Sequence, residues 1–336
     1  MPGPVLLAAI VAAAGLIACL GTRALIPLLR RSSVLDHPNE RSSHAAPTPR
    51  GGGIALVAAI LLAWVALIAA GAAAPLLSVV LFGAALLAGI SWLDDLRGLS
   101  PAVRLPAQLV AVGLGMIVLI PAGPVFQGWL IPGLDVVGAG LLWLWFVNLF
   151  NFMDGIDGLA GSEAAAVALG LVLFAGFGAG SDPGLAALAG TAAAAALGFL
   201  VWNWAPARIF LGDVGSVPLG YLLGFVLLDV AARGGWKIAL ILPLYFLADA
   251  TLTLVRRLAR GEKVWQAHRQ HFYQRAVQRG LGHAGVVRRV IAADLILIAC
   301  GWAAENGWGI AALATAVVAV TALLAGLAGG GRRKPA

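Results

Sequence analysis

The chain has 336 residues, 61% of them hydrophobic and only 11% charged, with a formal net charge of +7. Ordinary soluble domains carry about 25% charged residues, so the composition excludes a soluble globular domain and points to a polytopic membrane protein. Cys19 and Cys300 both fall inside apolar runs, which excludes a disulfide framework and a thiolate metal site.

Apolar stretches of about 20 residues, the length that crosses a bilayer, lie near 4–29, 51–70, 74–93, 102–122, 136–153, 159–180, 184–204, 214–232, 236–255, 287–304 and 307–330. The first Lys or Arg is Arg23, near the far end of the first run, so no cleaved signal peptide is expected. The predicted fold is an all-α integral membrane protein, a single polytopic unit over 1–336 with about 10–11 transmembrane helices. A first loop spans 30–50 and a large basic loop spans 256–286. Eleven becomes ten if the runs around the short 181–184 loop and the Ala-rich 191–196 segment are not separate.

An odd count puts the termini on opposite faces, and the positive-inside rule chooses between them. Placing the 30–50 loop inside gathers every Lys and Arg on the inner face except Arg23, Arg233 and Lys237. The N-terminus is therefore expected outside and the C-terminus inside. Lys and Arg alone set this orientation, yet it also sends Asp94, Asp95, Asp154, Asp157, Asp213 and the histidines, including His37, His44, His268 and His271, to that same face. A transporter more often places such groups near the midplane on broken helices.

The central stretch is NLFNFMDGIDGLAGS, Asn148 to Ser162. Asn148, Asn151, Asp154 and Asp157 recur every third residue and share a face for as long as the backbone stays helical. Gly155 and Gly158 interrupt the helix where the carboxylates begin, freeing backbone N–H groups for a ligand. A polar helix-helix contact is the alternative for one Asn or Asp. For the whole set it is expensive, because a carboxylate in a membrane segment costs on the order of 2.5–3.5 kcal/mol.

Other loops add to this. Gly51, Gly52 and Gly53 open the second apolar run with backbone N–H groups suited to a phosphate, a flexible loop with a helix-starting turn being the alternative. The adjacent Asp94 and Asp95 repel unless a cation or a shared proton relieves them, or else one caps the next helix. Asp213, between Gly212 and Gly215, could serve as an N-cap, although capping alone needs neither Phe210 nor two glycines. HRQHFYQRAVQRG supplies His268, Arg269 and His271, which suit a pyrophosphate ester; a basic amphipathic helix on anionic lipid is the competing reading. Zinc is not expected, since the loops hold no cysteine. Asp249, inside the ninth run, is expected to make an ion pair or line the cavity and is given no chemistry.

At these residues the chain resembles the polyprenyl-phosphate N-acetylhexosamine-1-phosphate transferases, the membrane family that includes the phospho-MurNAc-pentapeptide translocase and the enzymes that start O-antigen and enterobacterial common antigen. The likeness rests on PTPRGGG (Pro47–Gly53, with Thr48), the Asp94–Asp95 pair, NxxNxxDGIDGLAGS from Asn148, Asn203 ten residues before Asp213 in FLGDVGS, and HRQH at 268–271. It implies that a UDP-N-acetylhexosamine gives its sugar-1-phosphate to undecaprenyl phosphate and releases UMP, on the inner face of a bacterial cytoplasmic membrane. By the same likeness Asp213 holds Mg²⁺, with Mn²⁺ as the alternative ion, and Asp94, Asp95 and Asp154 act in catalysis. Thr48, Asn148 and Asn151 join the substrate site, Asp157, Asn203 and Phe210 contact the uridine, and His268, Arg269 and His271 grip the diphosphate or sugar. Membrane lipid is an expected partner and nucleic acid is not; a homodimer is left open.

Two departures bear on the sugar. Leu96, Arg97 and Gly98 follow the acidic pair, so a charged residue that many relatives carry three positions on is missing, and Arg269 and Gln270 sit within the His motif. HFYQRAVQRG is most similar to the enzymes that initiate O-antigen with N-acetylfucosamine or N-acetylquinovosamine phosphate. A flippase or transporter of a lipid-linked sugar is the rival class, and a noncatalytic scaffold of a glycan-assembly complex a second rival.

Overall fold

The computed structural model describes residues 2–36, 47–178, 181–263, 266 and 268–329. His37, His44 and the basic residues Arg41, Arg332, Arg333 and Lys334 lie outside these. In chain order the elements are α1 (Pro4–Arg31), β1 (Leu35–Asp36), β2 (Thr48–Pro49), α2 (Gly53–Ala69), α3 (Ser78–Arg97), α4 (Pro101–Leu119), α5 (Pro132–Phe152), α6 (Leu159–Phe177) and α7 (Pro183–Asn203). There follow α8 (Asp213–Val230), α9 (Trp236–Ile241), α10 (Leu244–Ala259), α11 (Phe272–Gln278), α12 (His283–Ala303) and α13 (Gly309–Gly329).

Among the described residues eight helical stretches are long and apolar enough to cross a membrane. Two of them are broken. Asp213–Ile241 turns at Gly234, where φ is 101°, and His283–Gly329 turns at Asn306 and Gly307. With the 17-residue α2 and the α9–α10 pair, a helix lies within each of the eleven predicted apolar stretches over their described residues. Proline sets several starts, because its missing N–H is no loss in the first turn: Pro4, Pro101, Pro132 and Pro183 each occupy that position. Asp182 adds a side-chain cap to α7, accepting from Leu185 N–H at 3.0 Å.

The bundle is organised around α8, every residue of which from Val214 to Val230 is buried. A helix without a polar stripe belongs in the middle of a bundle. α3 and α5 pack along it on one side and α2 on another; α1 and α6 pack on α7, and α12 packs on α6. Small residues permit this closeness. Trp143 of α5 stacks on Tyr221 of α8 at 4.8 Å and donates to its carbonyl, while the Tyr221 hydroxyl donates to Ala111 O of α4. Glu163 of α6 and Asp294 of α12 face each other inside the bundle, two carboxyl groups buried side by side. Many large apolar side chains are exposed on α1, α3, α5 and α13, among them Leu16, Phe82, Leu141 and Val318, as a lipid-facing surface requires.

Candidate active site

The site grows from a seam between the start of α2 and the start of α8. A side chain on Gly215 would lie 2.7 Å from the Cα of Gly53, so the two helix starts touch backbone to backbone. The N–H groups of Gly51 and Gly52 bond to Phe210 O, and that of Gly53 to Leu211 O. These donors are therefore spent on the FLGDVGS segment, which corrects the expectation that they hold a phosphate. The tight seam instead positions the residue before it. Arg50, whose backbone bridges to Phe210, places Nη2 2.7 Å from both Asp95 Oδ1 and Asp213 Oδ1. Burial alone would lower its pKa, but the carboxylates of Asp213, Asp95, Asp36 and Asp154 more than reverse that. Thr48, in β2, is buried beside this seam.

Neighbours on a helix point about 100° apart, and Asp94 and Asp95 do different work. Asp95, its side chain fully enclosed, accepts from Asp213 N–H (3.1 Å) and Val214 N–H (3.0 Å) and so caps α8 from another helix. Asp213 is thus not the cap of its own helix, and its carboxylate is left to face the cavity. Asp94 accepts from Leu99 N–H at 2.6 Å, closing the turn where Gly98 takes φ of 66°, and from Arg104 at 3.0 Å. Arg104 also stands 3.8 Å from Asp213, so one guanidinium spans the two carboxylates.

α5 carries Asn148 and Asn151 to the same place. Asn151 donates to Asp213 Oδ1 (3.1 Å) and Ser216 Oγ (2.9 Å), and Asn148 to Gln108 Oε1 (2.8 Å). The helix ends at Phe152, so the predicted four-residue face stops after the two asparagines. Asp154 lies in the link to α6, where burial and the charges of Asp213, Asp95 and Asp157 raise its pKa well above the usual carboxylate value against the pull of Arg50. Asp157 turns elsewhere, accepting from Ala207 N–H at 3.0 Å and pairing with His283 at 3.2 Å. Asn203 is buried with both ends of its amide engaged, accepting from Gly158 N–H (3.0 Å) and donating to Ile209 O (2.9 Å). Asp157 and Asn203 therefore clasp the 204–211 loop that presents Phe210.

The HRQH segment closes the site from above. Asp249, fully enclosed in α10, pairs with His271 Nδ1 at 3.2 Å and accepts the N–H groups of Phe272 (3.0 Å) and Tyr273 (3.2 Å). His268 stacks on His271 at 4.9 Å, and burial, followed by the charges of His271 and Arg257, pulls its pKa down to about 4. Tyr273 reaches back to donate to Phe152 O at 2.9 Å, and Gly155 leaves room for its hydroxyl. Arg269 is partly buried on this segment, and Gln278 donates to its carbonyl.

These parts enclose a cavity of about 450 Å³. Asp94, Arg104, Asp213, Asn148, His268 and His271 form its polar side; Leu87, Leu105, Trp145, Phe152 and Leu254 form its apolar side. Sequence reasoning missed Arg50 and Arg104, read only as inner-face charges, and Gln108; Asp249 makes the ion pair expected of it, with His271 as the partner the sequence did not name. Arg50 did carry a signal, since it stands inside PTPRGGG. Among the described residues no cluster of three or more His, Cys, Asp or Glu is arranged around one metal position. Two carboxylates with an amide beside them still suit a hard ion such as Mg²⁺, which takes one or two carboxylates and completes its shell with water and substrate phosphate oxygens.

The glycosyl transferase family 4 matches residues 77–231. The decaprenyl-phosphate N-acetylglucosaminephosphotransferase of Mycobacterium tuberculosis is 31% identical over 295 residues, covering 77% of this chain and 73% of the relative. The probable undecaprenyl-phosphate N-acetylglucosaminyl 1-phosphate transferase of Bacillus subtilis is 28% identical over 278 residues, covering 77% of this chain and 75% of the relative. A phospho-N-acetylmuramoyl-pentapeptide-transferase of Synechococcus is 32% identical over 306 residues, covering 83% and 86%. All three share with this chain the span that bears α3, α5 and the start of α8. The chain belongs to glycosyl transferase family 4, among the polyprenyl-phosphate N-acetylhexosamine-1-phosphate transferases.

Proposed function

We propose that the chain transfers an N-acetylhexosamine-1-phosphate from a UDP-sugar to undecaprenyl phosphate and releases UMP. The observation that carries this is the two-sided cavity, in which carboxylates, Arg104 and two histidines meet an apolar wall. A lipid phosphate needs both sides. An oxygen of the lipid phosphate attacks the sugar-bearing phosphorus, the bond from that phosphorus to the bridging oxygen breaks, and UMP leaves with the bridging oxygen. Mg²⁺, with Asp213 as its ligand and Asp94 beside it, would neutralise diphosphate charge. Phosphoryl transfer asks little else of a protein than positioning and charge neutralisation. Asp94 faces the cavity and orients the acceptor phosphate; Asp95, enclosed beneath, holds Asp213 and Arg50 in register. Phe210 and the loop clasped by Asp157 and Asn203 receive the uridine, and His268, Arg269 and His271 the diphosphate and sugar.

Two of the three relatives' names support N-acetylglucosamine as the sugar and the third names N-acetylmuramoyl-pentapeptide, while the HFYQRAVQRG motif supports N-acetylfucosamine or N-acetylquinovosamine. The product would start O-antigen or another cell-envelope glycan at the inner membrane, with the N-terminus outside, the C-terminus inside and the site on the cytoplasmic face. The test is UMP release by purified protein with undecaprenyl phosphate, Mg²⁺ and a panel of UDP-N-acetylhexosamines. Asp213→Asn should lower turnover by orders of magnitude while the protein stays folded. Sugar-lipid binding without UMP release would instead favour a flippase.

A further inference from the structure

Arg50 is held in an unusual way: its backbone is pinned and its head is shared. The backbone donates to Val34 O at 3.2 Å and bridges to Phe210, and it is followed at once by the Gly51–Gly53 contacts with the α8 approach. The guanidinium keeps about a third of its side-chain surface exposed and uses one nitrogen, Nη2, for Asp95 Oδ1 and Asp213 Oδ1 alike, each at 2.7 Å. Asp213 Oδ1 also receives Asn151 Nδ2 at 3.1 Å, so this oxygen is already crowded by donors. A divalent ion bound at this oxygen would compete with Arg50 for it. Asp95 is enclosed with no exposure and needs a cation beside it, whereas Asp213 is 19% exposed and can take another partner.

On the reading proposed above, we propose that Arg50 is an internal counter-ion that keeps divalent ions weakly bound until a nucleoside diphosphate arrives, swinging its head from Asp213 to the diphosphate while staying on Asp95. Cation and diphosphate then help each other bind. The ion frees the arginine, and the diphosphate accepts it through the bidentate geometry that a guanidinium offers to phosphate. Coupling of this kind is reciprocal and is commonly 5–150-fold.

The test is equilibrium Mn²⁺ binding to the full chain in detergent, followed by electron paramagnetic resonance with and without UDP and corrected for the Mn²⁺–UDP complex formed in solution. Wild type should bind Mn²⁺ alone weakly and roughly tenfold more tightly with UDP. Arg50→Gln should bind Mn²⁺ alone severalfold more tightly than wild type and lose most of the UDP effect. Arg50→Lys retains the charge but not the fork, and should keep weak ion binding while losing most of the coupling. Asp213→Asn should remove Mn²⁺ binding in every background. Equal Mn²⁺ affinity with and without UDP in wild type, or an Arg50→Gln variant whose affinity and coupling match wild type, overturns the proposal. An Arg50→Gln protein that fails to fold leaves the decision to wild type and Arg50→Lys, where unaltered coupling in Arg50→Lys counts against it. UMP release is measured on the same preparations: an inactive wild type with intact coupling refutes the proposed reaction, and an active one without coupling refutes the role of Arg50.

Discussion

Substituting Gly53 by Ala tests whether the α2–α8 seam positions the catalytic charges. The new methyl group would meet the Cα and N of Gly215 and stand 2.9 Å from Leu211 O, all backbone atoms that cannot rotate away. Overpacking typically costs 1–3 kcal/mol, and with backbone on both sides the upper end, about 3 kcal/mol, is expected. The seam must open to accommodate the methyl group. Opening it stretches the three glycine N–H bonds to Phe210 and Leu211 and moves Arg50 relative to Asp95 and Asp213. Misplacement by about 1 Å can cost on the order of 100-fold in rate. The assay pairs UMP release with thermal unfolding in detergent, and Gly113→Ala on α4 serves as the control. Gly113 has nothing within 4 Å of an added Cβ, so that change should be neutral or stabilise by up to about 1 kcal/mol. A Gly53→Ala protein with wild-type Tm and turnover would refute the reasoning.

Asp154→Asn should abolish turnover yet raise the Tm of the ligand-free protein. Because the folded pKa of Asp154 lies above its unfolded value, its contribution is fully favourable below the unfolded pKa of about 3.9 and is lost as pH rises through the folded one. The gain in Tm should therefore be larger at pH 8 than at pH 5, and a pH-independent gain would contradict the assignment. Exchange of labelled UMP into UDP-sugar without lipid should be absent, as a single displacement requires; robust exchange that Asp154→Asn removes would establish a covalent intermediate. Asp249→Ala leaves the Phe272 and Tyr273 N–H groups without their acceptor, costing about 1–3 kcal/mol each, and should raise the KM for UDP-sugar by loosening His271; an unchanged KM would show that the HRQH segment is held by other contacts. Glu163→Gln removes one of two adjacent buried acids and sets an amide N–H beside Asp294, and should raise Tm; a lower Tm would mean that the two carboxyl groups satisfy each other by sharing a proton.

The helices were legible because each apolar run is long enough to cross a bilayer and proline or glycine marks many ends. Residues with peculiar neighbours were legible as well: Asp213 stands between glycines, and Asn148 and Asn151 interrupt an apolar helix. What stayed hidden depends on which helices meet. Arg50 and Arg104 look like any inner-face arginine until α2 and α4 are brought against the carboxylates of α3 and α8. Asp249 is separated from His271 by a loop whose course no periodicity describes. The spacing of Asn148, Asn151, Asp154 and Asp157 holds one face only as far as the helix runs; Gly155 marked an interruption near the carboxylates, and the helix stops at Phe152, before the first of them. Asp94 and Asp95 were read as a unit, although adjacent helical positions rarely share a partner.

Leu105 of α4 and Phe152 of α5 line the cavity and are both exposed, so the proposed lipid acceptor has an apolar path to the site along these two helices. A lipid acceptor that enters there searches for its enzyme in two dimensions. Its supply is set by molecules per area of membrane and not per litre. Diluting vesicles at constant lipid composition should leave the acceptor's occupancy unchanged, while adding inert lipid to each vesicle should lower it. On the proposed reaction the sugar nucleotide would come from the aqueous side and follow volume concentration, so the two substrates would not respond to the same dilution.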